Sequence, residues 1–185
     1  MSVKGSIVAI KPTIYKFSIN VTDLDRNYYD TLNLTVAQHP SETLERMMVR
    51  VLVFCIEVQE GLVFTKGLSQ PDEPDIWCRS LDDQLLLWID VGEPAVDRIK
   101  KATRIAKVVK VFSFNNKSDA WWRIEGEKFN QLAVQVFQLP WISVQTMATL
   151  VDRTSELSLT ITESTAYITS NKGDCEISWS QLSSS

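Results

Sequence analysis

The sequence predicts a mixed α/β fold in which a sheet packs between helices. Residues 85–91 are nearly all apolar, which is typical of a central strand covered on both faces. Segments with the apolar spacing of helices precede and follow this strand. Alternating apolar and polar residues near both ends of the chain predict an N-terminal β-hairpin and a C-terminal antiparallel β-meander.

Length and composition favour one domain. The chain has 185 residues, of which 44% are hydrophobic and 23% charged, values typical of a globular protein with a full core. We expect residues 1–12 to form an N-terminal extension, residues 13–182 a single domain and residues 183–185 a frayed tail. The apolar run 7–10 is too short for a signal peptide or a membrane span, so the cytoplasm is the expected location.

Charge and cysteine content restrict the classes of function. The net charge of −4 opposes tight binding to duplex DNA, because that affinity comes mostly from Lys and Arg side chains. The three cysteines are odd in number and lie far apart, which argues against a disulfide framework. With a single histidine, a zinc site of the usual Cys/His type is nearly excluded.

The first third of the chain predicts a hairpin followed by a helix. Residues 13–21 and 32–36 alternate between apolar and polar, as the two strands of a hairpin do. A long helix then starts at Pro40 or Ser41, since apolar residues recur every three or four positions, and Gly61 ends it.

The middle of the chain predicts three strands, a helix and a fourth strand. Residues 63–65 form a short strand, and a second extended segment begins at Ile76 after a loop. The apolar strand 85–91 follows, and then a helix 94–106 that begins with proline. Residues 109–114 form the fourth strand.

The last third predicts two helices separated by a strand, and then the meander. The helices are 118–129 and 140–150, with the strand 132–139 between them. The strands of the meander are 157–161, 166–168 and 176–179.

Two carboxylates lie where predicted strands begin and end. Asp75 follows Pro74 at the start of one strand, and Asp90 lies near the end of the next, beside Trp88. A buried carboxylate is costly unless a cation or hydrogen-bond donors lie nearby, and carboxylate oxygens are the ligands that Mg²⁺ prefers. A magnesium site at Asp75 and Asp90 is therefore one interpretation. A solvated turn at Asp75 and a backbone hydrogen bond at Asp90 are the alternative.

Motifs along nearly the whole chain beyond Pro12 resemble the YaeQ family. Each motif alone is weak, whereas together they are specific. They read Thr13-Ile-Tyr-Lys16, Asn20-Val21, Asp23-Leu-Asp-Arg26, His39-Pro-Ser-Glu-Thr-Leu-Glu-Arg-Met-Met48, Phe64-Thr-Lys-Gly-Leu68, Asp72-Glu-Pro-Asp-Ile-Trp77, Leu87-Trp-Ile-Asp-Val-Gly92, Arg98-Ile-Lys-Lys-Ala102 and Asp152-Arg-Thr154.

The resemblance implies a bacterial protein with a variant of the PD-(D/E)XK nuclease fold, that is, a restriction-endonuclease-like core with an active-site-like cluster. No biochemical role is firmly assigned to the family. In such folds carboxylates hold Mg²⁺, which polarises a phosphoryl oxygen, and a lysine helps to generate or orient hydroxide. The predicted function is therefore a nuclease or related phosphodiesterase that depends on Mg²⁺, with Mn²⁺ as an alternative ion, and with Asp75 and Asp90 as catalytic metal ligands.

The resemblance also places a third carboxylate and a cation at the site. Glu45 is the predicted third carboxylate, since the superfamily has a helix glutamate that leans over the sheet. Glu42 is the alternative, although a glutamate in a first turn also stabilises its helix through the macrodipole. Gly92 stands where the motif has lysine. Lys100 or Lys101 on the next helix is predicted to supply the catalytic cation, and Lys100 is preferred because it flanks the buried face.

A basic segment offers a second route to function. Six basic residues lie within thirteen positions: Arg98, Lys100, Lys101, Arg104, Lys107 and Lys110. One interpretation is a surface that faces nucleic-acid phosphates, with Arg98 and Arg104 as phosphate-binding residues, and the other is charge balance on a solvated helix. The second functional hypothesis is accordingly a non-enzymatic module on a nuclease-derived fold that binds a nucleic acid or a protein.

Overall fold

The computed structural model describes residues 11–184 of the chain. These residues form two mixed β-sheets and four α-helices, which confirms the predicted mixed α/β class but with two sheets instead of one. Most of the predicted N-terminal extension, residues 1–10, and the last tail residue, Ser185, lie outside the described residues.

Strands and helices alternate through the middle of the chain. The helices are α1 Leu44–Ile56, α2 Val96–Ala102, α3 Ser118–Phe129 and α4 Trp141–Ala148, and Gly67–Ser69 is a short 3-10 helix. The strands are β1 Thr13–Asp23, β2 Tyr28–Gln38, β3 Leu62–Phe64, β4 Ile76–Arg79, β5 Leu85–Val91, β6 Val108–Ser113, β7 Gln135–Gln138, β8 Thr154–Thr162, β9 Thr165–Ser170, β10 Gly173–Ser178 and β11 Ser180–Gln181.

The first sheet joins the hairpin to the meander. Its strand order is β10-β9-β8-β1-β2, and β1 runs parallel to β8, with Lys16 opposite Thr154. Phe17, Ile19 and Val21 are buried at alternate positions of β1. This alternation places one face of the sheet on the core, as the sequence predicted, but the hairpin and the meander are halves of one sheet.

The second sheet carries the central strand. Its order is β11-β7-β6-β5-β4-β3, in which β3, β4 and β5 are antiparallel and β5, β6 and β7 are parallel. The helices α2 and α3 make the crossovers between the parallel strands, and both lie after strands in the chain as β-α-β units require. The strand 85–91 is confirmed with the predicted bounds.

The two sheets and four helices form layers. The buried face of the first sheet, α1, α4 and one face of the second sheet share one apolar core. The opposite face of the second sheet packs on α2 and α3 in a separate core around Trp88, Ile99 and Phe129. Every residue from Met47 to Cys55 is buried, because α1 is enclosed on all sides.

The helix α1 is shorter than predicted at both ends. It begins after Thr43, whose side chain accepts a hydrogen bond from the Arg46 amide at 3.2 Å, and it ends at Ile56 rather than at Gly61. A threonine at this position is a strong helix start. Glu42 therefore precedes the helix, and Glu45 is the acidic residue of the first turn.

Part of the predicted frayed tail is packed. Ser183 is buried, and its hydroxyl accepts a hydrogen bond from the Val136 amide at 3.0 Å. The short strand β11 just before it pairs with β7, so the chain crosses from the first sheet to the second after β10.

Candidate functional site

The structure brings Asp75 and Asp90 together. Ile76 of β4 lies opposite Ile89 of β5, so the residues one step outward, Asp75 and Asp90, are cross-strand neighbours. They are 4% and 3% exposed and line the same cleft, which has a volume of about 530 Å³. The pair of carboxylates predicted from the sequence is thus adjacent, buried and next to open space.

Both oxygens of Asp75 accept hydrogen bonds. The Arg46 Nη2 group donates to Oδ1 at 2.8 Å, and the Val91 amide donates to Oδ2 at 2.8 Å. The same Arg46 Nη2 donates to the Val91 carbonyl oxygen at 3.1 Å. One cationic nitrogen therefore lies against both a carboxylate oxygen and a backbone carbonyl at the edge of the second sheet.

Asp90 is paired with an arginine from α2. Arg98 donates from Nε to Oδ2 at 2.6 Å and from Nη2 to Oδ1 at 3.0 Å, the two-point geometry of the strongest ion pairs. The Arg98 guanidinium also donates to the carbonyl oxygens of Pro71 and Glu73 and lies over the Trp88 ring. Arg98 thus ties α2 and the loop before β4 to Asp90.

Burial dominates the electrostatics of Asp90. It raises the pKa of Asp90 above the usual carboxyl range, Arg98 opposes the increase, and the negative charge of Asp75 adds to it. The pKa of Arg98 is raised in turn, chiefly by its hydrogen bonds to Asp90. The negative charge of Asp75 therefore contributes to the raised pKa of Asp90, as expected of groups that share a cleft.

A third carboxylate, Glu42, extends the site. Arg46 Nη1 donates to Glu42 Oε1 at 2.8 Å, and Arg50 donates to both Glu42 oxygens at 2.7 and 2.8 Å. Burial lowers the pKa of Arg46, but Asp75 and Glu42 outweigh that effect and raise it. Successive contacts link Arg50 to Glu42, Glu42 to Arg46 and Arg46 to Asp75. With the neighbouring pair of Asp90 and Arg98, the site contains three acids and three arginines. We call these six residues the carboxylate–arginine site.

Arg46 lies between two parts of the cleft. On its other side is a space of about 440 Å³, bounded by the end of β2, the segment before α1 and the 3-10 helix. Arg46, Gly67, Leu68 and Asp75 line both parts. The Arg46–Asp75 ion pair therefore stands in the middle of a longer groove.

The other predicted site residues lie outside this groove. Glu45 is half-buried on α1, forms no side-chain hydrogen bond within residues 11–184 and lines neither part. Lys100, Lys101 and Arg104 are exposed and also line neither part. Among the predicted catalytic and phosphate-binding cations, Arg98 is the one that reaches a carboxylate within residues 11–184. The catalytic and phosphate-binding roles assigned to these residues remain predictions.

The backbone explains why glycine occupies position 92. Gly92 has φ of 113°, in the region that side chains other than glycine rarely adopt. A Cβ atom there would meet no heavy atom within 4 Å, so the obstacle to a lysine is backbone strain and not lack of space. The Gly92 amide donates to the Phe112 carbonyl at 2.8 Å, which fixes this conformation against β6.

Sequence reasoning missed Arg46, Arg50 and Glu93. The spacing of four residues between Glu42 and Arg46 was the available signal for one ion pair. Glu93 lines the cleft and accepts hydrogen bonds from Asn115 Nδ2 at 2.5 Å and Ser118 Oγ at 2.7 Å, so it positions the start of α3. Within residues 11–184 no group of three or more His, Cys, Asp or Glu residues has the arrangement of a metal site.

No helix within the described part of the chain is long and apolar enough to cross a membrane.

The two-sheet fold is that of two solved bacterial proteins. The YaeQ protein from Xanthomonas axonopodis pv. citri superposes with a TM-score of 0.90 and 29% identity, covering 94% of this chain and 99% of that one. The YaeQ protein from Pseudomonas syringae superposes with a TM-score of 0.89 and 34% identity, covering 94% and 97%. These structures define the class of protein to which the fold belongs.

Sequence comparison identifies the family. The family model described as YaeQ protein matches residues 8–179. The "Uncharacterized protein YaeQ" of Escherichia coli (strain K12) is 39% identical over 181 residues, which covers 95% of this chain and 100% of the relative, and that of Salmonella typhi is similar to the same extent. The chain belongs to the YaeQ family.

Proposed function

We propose that the protein is a Mg²⁺-dependent phosphodiesterase of the PD-(D/E)XK type that cleaves a nucleic acid. The observation that carries the proposal is the adjacency of Asp75 and Asp90, two buried carboxylates on neighbouring antiparallel strands that open into one cleft. Carboxylates so placed are what metal-ion catalysis on phosphates requires.

The order of elements supports this class of enzyme. The helix α1 is followed by three antiparallel strands, β3 to β5, then by α2 and by the parallel strand β6. We interpret this order as that of a restriction-endonuclease-like core, in which Asp75 and Asp90 would supply the two acids.

The donor atoms at the edge of the second sheet suit a hard divalent cation. Asp75 and Asp90 would hold the ion, and the Val91 carbonyl offers a further oxygen beside them. When bound, Mg²⁺ polarises a phosphoryl oxygen and lowers the pKa of a bound water. One oxygen of Asp75 and both oxygens of Asp90 accept hydrogen bonds from arginines, so these contacts must loosen for an ion to bind.

Arg98 is the cation that we place at the reaction centre. It contacts Asp90, whereas Lys100 and Lys101 line no part of the cleft. A guanidinium stays protonated at all accessible pH values, so Arg98 cannot take a proton from water. Its planar set of N–H donors fits phosphate oxygens, and we therefore assign it the stabilisation of charge on the phosphate.

Cleavage assays test the proposal directly. Single-stranded, duplex and branched DNA and RNA are incubated with the protein and Mg²⁺ or Mn²⁺, with and without chelator. We expect metal-dependent cleavage of at least one substrate and a loss of about 100-fold or more in Asp90→Asn, since the loss of a ligand exceeds the cost of changing its outer-shell partners.

The matched control is Asp97→Asn, because Asp97 is an exposed aspartate on α2 that makes no ion pair within residues 11–184. It should cleave like the wild type. Absence of cleavage on every substrate would refute the enzyme proposal. Equal activity in Asp90→Asn would assign the cleavage to a contaminant.

A second candidate function is a non-enzymatic nucleic-acid-binding module. The observation that favours it is that arginines and a backbone amide already engage all four oxygens of Asp75 and Asp90. In the basic segment 98–110, four exposed cations outside the cleft form no ion pair within the described residues: Lys100, Lys101, Arg104 and Lys107. Such cations are what phosphate backbones bind.

The two candidate functions predict opposite effects of the same two variants. A binding module should retain nucleic-acid affinity in Asp90→Asn and lose it in the double variant Lys100→Ala, Lys101→Ala. Each lost phosphate contact should also reduce the salt dependence of binding, by about one unit of slope in a plot of log affinity against log salt. Filter binding at several salt concentrations measures both effects.

A further inference from the structure

We infer that Arg46 is a resident cation that competes with a divalent ion for the carboxylate–arginine site. The inference rests on the proposed metal site at Asp75, and it adds a residue that controls whether an ion can bind there. Its basis is the position of one nitrogen, Arg46 Nη2, and the contacts that hold it.

Arg46 Nη2 lies where an ion would need to be. It is 2.8 Å from Asp75 Oδ1 and 3.1 Å from the Val91 carbonyl oxygen, the two acceptors that converge on this point of the cleft. A magnesium ion requires oxygens at roughly 2.1 Å, so an ion and this nitrogen cannot use Asp75 Oδ1 and the Val91 oxygen together. Binding of the ion therefore requires Arg46 to leave.

Arg46 is held from the other side as well. Its Nη1 donates to Glu42, which is itself fixed by two donors of Arg50, and the Arg46 side chain is 18% exposed. Displacement of Nη2 from Asp75 would leave the Glu42 contact available and would not place the guanidinium in an apolar core, because Arg46 borders both parts of the cleft. The Arg46 side chain therefore has two possible positions, one in contact with Asp75 and one that leaves Asp75 to the ion.

The charges of the site predict that removal of Arg46 strengthens the binding of a divalent ion. With Arg46 in place, the carboxylate–arginine site contains as many arginines as acids, so little net attraction remains for a divalent ion. Removal of the Arg46 charge would leave Asp75 buried, with the Val91 amide as its remaining donor among residues 11–184. A buried carboxylate without a counter-ion is unfavourable, and an added cation relieves it.

The experiment measures Mn²⁺ binding by isothermal titration calorimetry in the wild type and in Arg46→Gln. Glutamine keeps polar bulk but removes the charge. We expect Mn²⁺ to bind Arg46→Gln about five- to 150-fold more tightly, the range typical of coupling between two competing groups. Arg46→Lys keeps a cation at the site and should bind Mn²⁺ like the wild type.

Arg26→Gln is the matched control. Arg26 pairs with another buried aspartate, Asp23, at 2.6 Å, but neither residue lines the cleft. If the loss of an arginine partner gave any buried aspartate an affinity for Mn²⁺, Arg26→Gln would bind Mn²⁺ more tightly as well. The double variant Arg46→Gln, Asp75→Asn should lose the gain, because Asp75 is the group that Arg46 releases.

Thermal unfolding gives a second readout that does not depend on activity. Mn²⁺ should raise the melting temperature of Arg46→Gln more than that of the wild type, since a ligand that binds only the folded state stabilises it. This measurement remains informative if Arg46→Gln is less stable than the wild type.

The outcomes separate this inference from the proposed function. Equal Mn²⁺ affinity in the wild type and Arg46→Gln, with cleavage by the wild type, would overturn the inference and leave the phosphodiesterase intact. Binding by Arg46→Gln alone, without cleavage by the wild type, would support the inference and refute the phosphodiesterase. A gain in Arg26→Gln, a gain that survives Asp75→Asn, or no Mn²⁺ binding by any variant would overturn the inference.

Discussion

The two sheets differ in the hydrogen-bond partners of a buried aspartate. Asp23 at the end of β1 is satisfied within its own turn, by the amides of Asp25 and Arg26 at 3.1 and 3.0 Å and by the Arg26 side chain. Asp75 in the second sheet depends on Arg46, which is 29 positions away in the chain. The first arrangement helps a turn to form, whereas the second exists only once the whole fold has assembled.

This difference indicates where function lies. A buried ion pair between distant residues adds little stability, because well-packed apolar residues of similar volume often do as well or better. Asp23 has an adequate structural explanation in its turn. Asp75 and Asp90 have none of comparable strength, and they line one cleft. The second sheet is therefore the part of the molecule in which buried charge points to chemistry.

The largest expected effect on stability comes from Glu42. Glu42→Gln removes the charge shared by Arg46 and Arg50 and leaves a buried guanidinium without its partner. We expect the free energy of unfolding to fall by about 3–5 kcal/mol, the cost of breaking a buried pair from one side. Urea denaturation followed by circular dichroism measures the change.

Glu45→Gln is the control for this variant, since Glu45 lies three positions further along and makes no ion pair within residues 11–184. Its loss should amount to about 0.3–1 kcal/mol, the value of an acidic residue in the first turn of a helix. If the two variants lost equal stability, the contrast between Glu42 and Glu45 would be wrong.

Asp23→Asn is expected to have an intermediate effect. Asparagine can still accept hydrogen bonds from the turn amides, and the Arg26 side chain is 37% exposed, so water can replace the lost partner. We expect a loss of about 1 kcal/mol in the free energy of unfolding. If Asp23→Asn lost as much free energy of unfolding as Glu42→Gln, the turn at Asp23 and the carboxylate–arginine site would not differ in the way described.

The smallest expected effect is a pH dependence that originates at Asp90. Its pKa is raised in the folded protein, so its contribution to stability is fully present below the unfolded value near 3.9 and is lost as pH rises through the folded value. Asparagine imitates the protonated acid. As pH rises from below the unfolded value through the raised folded value, the wild type should therefore lose stability relative to Asp90→Asn.

Urea denaturation of both proteins in chelator, at several pH values, measures this difference. Arg98 partly offsets the burial of Asp90, which is why the effect is small. A wild type that gains stability relative to Asp90→Asn as pH rises would show that Arg98 outweighs burial.

The sequence predicted the parts of the site that depend on local pattern. The apolar run of β5 identified a central strand, and the order of elements then placed Asp75 beside Asp90. The resemblance favours Glu45, because the superfamily has a helix glutamate that leans over the sheet, and a helix that starts at Pro40 or Ser41 would put Glu42 in its first turn. Thr43 delays that start, so Glu42 turns into the core and Glu45 remains half-buried in the first turn.

The arginine contacts and the sheet pairing were beyond prediction. Arg98 belongs to a basic segment that has the composition of a solvated helix, and only the three-dimensional approach of α2 to β5 brings it to Asp90. The sequences of β1 and β8 likewise do not indicate that the two strands pair, because parallel pairing between distant segments has no local sequence signal.

That pairing has a consequence for biosynthesis. The strand β1 emerges early from the ribosome, but its parallel partner β8 follows only after the whole second sheet except β11 has been made. Until then the outer edge of β1 is unpaired in addition to that of β2, and unpaired strand edges are prone to association with other chains. The nascent chain is thus most in need of protection along the outer edge of β1, which its partner strand reaches late in synthesis.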